Sequence, residues 1–145
     1  MNTSAPPFSK TVSINAAASK IWALLTEPEL MNQWMSETEI QIITDWKVGS
    51  SIIIKGPWYK TSFENKGTVL RFDPEQALSY THLSSLSRLP DAPESYTTLE
   101  FTLKPEGDET LLTVTAYNFP TEAIYRHIAF YWNVAPHLIK KLAEA

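Results

Sequence analysis

Cysteine is absent from the 145 residues. That excludes a disulfide framework, a thiolate zinc site and a cysteine nucleophile. Glycine is scarce, with four residues, and neither a Gly-rich phosphate loop nor a Gly-x-Ser-x-Gly elbow is present. There are three histidines, His82, His127 and His137, and the last two stand ten apart on one predicted helix. That is not metal-ligand spacing, so neither a metal centre nor a cofactor is expected. Lysine and arginine never run longer than Lys140-Lys141, and the net charge is −4 with a pI near 5.3. Nucleic acid and anionic membrane are therefore not the expected partners. No window approaches ~18 uninterrupted apolar residues, so no membrane-spanning helix is expected. The opening MNTSAPPFSK has neither a basic region nor an apolar stretch of the secretory kind. A cytoplasmic location is the default expectation.

What the chain has in quantity is aromatic surface: 12% of residues, five of them Trp. Those rings must pack or line something. The length suits one domain with one real core. Residues 1–7 read as a frayed segment and 8–145 as a single domain. From Phe8 the alternation of Phe8, Lys10, Val12 and Ile14 predicts a strand. "ASKIWALLTE" predicts a helix that Pro28 ends, and Pro28 can open a second short helix through Trp34. Strands follow at "EIQII", "SSIIIKG", "NKGTVLRFD", "ALSYTHL", "SYTTLEFTLKP" and "TLLTVTAYN". The last helix begins near Pro120, with Ile124, Ile128, Tyr131, Ala135, Leu138 and Leu142 at helical spacing. Tyr125, Ala129, Trp132, Ile139 and Ala143 form a second row, and Phe130 interrupts the polar row. Pro136 removes one N–H donor and predicts a bend beside Trp132. Segregated strands and helices argue an α+β architecture.

That order, with "TVSINAAASKIWALLTEPELMNQWM", "DWKVGSSIIIKG", "GTVLRFDPEQALSYTH" and "NFPTEAIYRHIAFYWNVAPHLIKKL", resembles the Bet v 1/START-like (SRPBCC) superfamily. Within it the chain resembles the family named after the C-terminal domain of the activator of Hsp90 ATPase, the AHSA1-like family. The likeness spans about residues 8–143, and Glu27 stands where that family usually has Asp. The resemblance implies a helix-grip fold: a curved antiparallel sheet of six to seven strands around a long C-terminal helix, with two short helices after the first strand. It implies a cavity between sheet and helix suited to a small apolar or aromatic molecule. The eukaryotic co-chaperone has a further N-terminal domain, for which 145 residues leave no room, so an Hsp90 interaction is not the leading expectation.

Ligand sites are lined mainly by apolar groups with a few placed polar ones. On the predicted inward faces the candidates are Trp34, Ile54, Phe72, Tyr80, His82, Phe101, Asn118, Ile128, Tyr131, Trp132 and Ala135, with Trp58 on a rim. Leu70 is read inward with Phe72. The plainer reading makes most of these simply core. His82 has the chemistry of a ligand-orienting donor or a general base. The plainer reading is a histidine held by one hydrogen bond at a strand end. Ser84, Ser85 and Ser87 follow it, but read as a flexible lip. The loop 84–94 has the length and prolines of a lid, or of an ordinary surface connection. The leading expectation is a non-catalytic binding domain for an apolar or aromatic small molecule, monomeric or weakly homodimeric. The alternatives are a cyclase/aromatase- or hydrolase-like enzyme using a pocket His and Tyr, and a chaperone-linked interaction module.

Overall fold

The computed structural model describes residues 6–145, apart from the Trp58 side chain. Residues 1–5 of the expected frayed segment lie outside that range. Strand β1 (Phe8–Ile14) is followed by helices α1 (Ala18–Thr26) and α2 (Pro28–Met35). Strands β2 (Gln41–Ile43), β3 (Ser51–Trp58), β4 (Thr61–Asp73), β5 (Ala77–Ser84), β6 (Thr97–Glu106) and β7 (Glu109–Tyr117) come next, and α3 (Glu122–Glu144) closes the chain. All pairings are antiparallel, in the order β1-β7-β6-β5-β4-β3-β2. This is the expected α+β helix-grip architecture, with a seven-stranded sheet.

Local chemistry explains the helix ends. Pro28 sits in the first turn of α2, where a missing N–H leaves no orphan donor. Thr121 caps α3 by accepting from the Ile124 N–H at 3.1 Å. α3 stays helical through Pro136, which is buried. Its buried stripe is Ile128, Trp132, Ala135, Pro136, Ile139 and Ala143. Leu138 is 42% exposed, so the first apolar row does not stay on the core face. The reason is periodic: strict 4-3-4 steps drift around a 3.6-residue helix.

One irregularity reshapes the sheet. The β4–β5 register shifts between Val69 and Arg71, a β-bulge. A bulge inserts one residue and reverses which side chains face in. Val69 is fully buried while Leu70 is 45% exposed, and Phe72 packs on the core beyond the bulge. The expected inward Leu70 is thereby corrected to Val69. Before the bulge the inward parity is odd, which brings Asn65 and Gly67 to the concave face. β4 also begins four residues earlier than the expected Asn65, at Thr61, whereas the strand expected from Glu39 shortens to Gln41–Ile43.

Gly67 is required where it stands. A Cβ there would lie 1.7 Å from the Thr81 carbonyl oxygen. The two backbones approach too closely there for any side chain to fit.

Candidate functional site

The concave face divides into a filled end and a polar end. At the filled end, under α1 and α2, rings meet edge to face or stacked. Trp22 lies 5.2 Å from Phe72, Phe72 5.6 Å from Trp46, and Trp46 6.1 Å from Tyr80. The chain continues from Tyr80 to Phe101 at 5.8 Å, to Trp132 at 5.3 Å and to Trp34 at 5.7 Å. Two of these indoles are hydrogen-bonded: Trp34 Nε1 donates to the Leu24 carbonyl and Trp46 Nε1 to that of Thr26, each at 2.8 Å. Trp46 reaches this place with φ at 60°, a left-handed backbone that a bulky side chain adopts only when its surroundings hold it.

The polar end lies where β5 runs out beneath the first turns of α3. Strand pairing fixes the neighbours. Tyr80 stands opposite Val69 and Leu99, His82 opposite Thr97, and Asn65 opposite Ile54 and Ser84. Gly67 faces Ile52 across β3 and contributes no side chain to this surface. The Asn65 Oδ1 is buried without a hydrogen-bond partner. The Tyr80 hydroxyl and the His82 ring likewise make no hydrogen bond among the described residues. Burial pushes the His82 pKa down to about 4, with nearby His127 of α3 as a smaller cause. The ring keeps some contact with solvent but is otherwise walled in by protein, so it is neutral near pH 7. Burial, with Tyr131 as the lesser cause, raises the Tyr80 pKa, and burial raises that of Tyr131. Both phenols stay neutral. Tyr131 has a partner, donating to the Met35 carbonyl at 3.2 Å.

Most expected site residues therefore share the concave side. Trp34, Ile54, Tyr80, Phe101, Ile128, Trp132 and Ala135 are buried in the core, and Phe72 and Tyr131 are half-buried against it. Asn118 does not join them. It follows β7, is exposed, and turns the chain toward α3 with φ at 67°. Asparagine tolerates that left-handed turn better than most residues, which accounts for it there. The Trp58 side chain lies outside the described residues. Asn65 and Trp46 are the residues that sequence reasoning missed.

The serine cluster serves the local backbone. Ser84 Oγ accepts from the Leu86 N–H, Ser85 Oγ from the Glu64 N–H, and Ser87 Oγ donates to the Ser84 carbonyl. None bonds His82, so no nucleophile–base pair is assembled. The loop after β5 is tied down through Asp91, which pairs with Lys66 and accepts from the Tyr96 hydroxyl at 2.6 Å. Lys66 is on the face opposite Asn65, so the loop is anchored on the convex side rather than over the polar end. Two surface depressions lie elsewhere. One, of about 580 Å³, is bordered by Arg71, Gln76 and Lys104; the other, of about 380 Å³, by α2 and β2. Between sheet and helix, rings occupy the space where an open cavity was expected.

The family described as activator of Hsp90 ATPase homolog 1-like protein matches residues 15–144. No curated protein matches the chain. Among solved structures, ChR145 from Cytophaga hutchinsonii is 33% identical, with 95% of this chain and 93% of that one covered and a TM-score of 0.81. The Aha1 dimer from Colwellia psychrerythraea is 21% identical, with 97% of each chain covered and a TM-score of 0.74. Protein CV1439 from Chromobacterium violaceum is 14% identical, with 97% and 99% covered and a TM-score of 0.78.

Proposed function

Since the chain belongs to the activator of Hsp90 ATPase homolog 1-like family, we propose that it uses the helix-grip interior to bind a small, largely apolar molecule, without catalysis. The observation that carries this reading is the polar end: the Asn65 Oδ1 is buried with no hydrogen-bond partner among the described residues, on the strand face that β5 continues with Tyr80 and His82. Buried polar groups are nearly always paired, and an exception calls for a reason. A bound molecule supplies one. The surrounding rings offer flat apolar contact. Because rings fill the rest of the interior, the ligand is one or two rings in size, and it enters by displacing side chains rather than by occupying a standing cavity.

The test is competition. Neutral aromatic compounds should displace the dye ANS from the native protein and quench its tryptophan fluorescence saturably. The reading fails if no compound binds saturably while the fold is intact.

A second observation bears on assembly. Phe130, Val134 and Leu138 form an exposed apolar row on α3, at 73%, 46% and 42% exposure. A weak homodimer through this row is in keeping with the dimeric relative from Colwellia psychrerythraea. Sedimentation velocity over a wide concentration range checks it, and Phe130→Ser should return any dimer to monomer.

A further inference from the structure

We infer that the molecule received at the polar end is neutral and carries a hydrogen-bond donor, a hydroxyl or N–H, at the edge of its apolar body. This rests on the binding reading above and names its ligand class. The Asn65 Oδ1 can only accept, so what meets it must donate. The Tyr80 hydroxyl can donate or accept, and a neutral imidazole at His82 offers one of each. A ligand hydroxyl meets this requirement by donating to the Asn65 Oδ1, while its own oxygen stays able to accept. The third phenol, Tyr131, is engaged by the Met35 carbonyl and does not compete.

An ion fits poorly. Two cations on neighbouring elements are engaged elsewhere, Lys66 with Asp91 and Arg126 with Glu122. A carboxylate set against the Asn65 Oδ1 would place acceptor against acceptor. The burial that keeps Tyr80 and His82 neutral would also act against any charged ligand. A purely apolar ligand would leave Asn65 as it found it, buried and unpaired.

A matched set separates these cases by isothermal titration calorimetry of the intact chain: 2-naphthol, 2-methoxynaphthalene and 2-naphthoate. The bodies are alike, and the edge group is a donor, an acceptor or an anion. We expect 2-naphthol to bind about tenfold tighter than 2-methoxynaphthalene, the scale of one well-placed hydrogen bond to a buried acceptor. The naphthoate should bind weakest. Asn65→Leu should remove the preference for naphthol while leaving 2-methoxynaphthalene binding within about twofold. Tyr80→Phe, which removes one oxygen, should reduce the preference and guards against a folding defect in the first variant. Equal affinity for the first two compounds, or tightest binding of the naphthoate, overturns this inference alone. Binding of none of the three overturns it together with the proposed function.

Discussion

The two ends of the concave face are built from the same kinds of residue and differ in their polar atoms. At the filled end the indoles of Trp34 and Trp46 each donate to a backbone carbonyl. At the polar end the Asn65 Oδ1 is buried and has no hydrogen-bond partner among the described residues. A satisfied polar group in a core locks one packing arrangement, whereas an unsatisfied one is a standing destabilisation. The difference separates the part of the interior that holds the fold from the part left open to something else. It predicts that emptying a ring at the filled end and removing the unpaired acceptor at the polar end move stability in opposite directions.

The largest effect should come from the filled end. Trp132 joins Phe101, Trp34 and Tyr131 in ring contact. Trp132→Ala should cost about 3–5 kcal/mol in urea unfolding, the usual range for emptying a buried ring. A loss below about 1 kcal/mol would mean that the rings pack loosely and that the division between the two ends is wrong. Gly67→Ala should cost at least about 3 kcal/mol, because the new Cβ meets fixed backbone and no flexible side chain can yield.

The next effect is set by pH. His82 titrates near 4 in the folded chain and near 6.5 when unfolded. Between those values the unfolded state binds the extra proton, so stability falls as pH drops from 6.5 toward 4. The contribution has a ceiling of about 3 kcal/mol. His82→Gln should flatten that part of the stability–pH curve, read from urea midpoints at steps of pH. An unchanged slope would place the acid sensitivity on other groups.

The smallest effect carries the opposite sign. Asn65→Leu removes a buried unpaired acceptor at nearly constant shape, and should leave stability unchanged or raise it by about 1 kcal/mol. Destabilisation beyond about 2 kcal/mol would show that Asn65 has a structural partner and is not held for a ligand.

Much of this was legible in the chain. The strand–helix–helix order, the odd-residue alternation of β6 and the even-residue alternation of β7 show in plain periodicity. Tyr80 and His82 were found because β5 keeps a regular two-residue repeat. Asn65 was hidden by the bulge beside Leu70. Read without it, alternation from Phe72 runs back through even positions and puts Asn65 on the wrong face. Nothing in "NKGTVLRFD" marks an extra residue, because a bulge is settled by pairing with a strand elsewhere. Trp46 was hidden for a related reason. Its loop looks like a turn at "WKVG", and only the stack on Phe72 shows that the ring turns inward. Asn118 was misplaced by continuing the β7 alternation one residue past the strand's end.

The most direct measurement is a two-dimensional amide NMR titration of the native chain with 2-naphthol. The account predicts saturable shifts concentrated at Asn65, Gly67, His82 and Ile128, with the α1 amides near Trp22 largely unmoved. Shifts centred on α1 and α2, or no saturable shift at all, would contradict it.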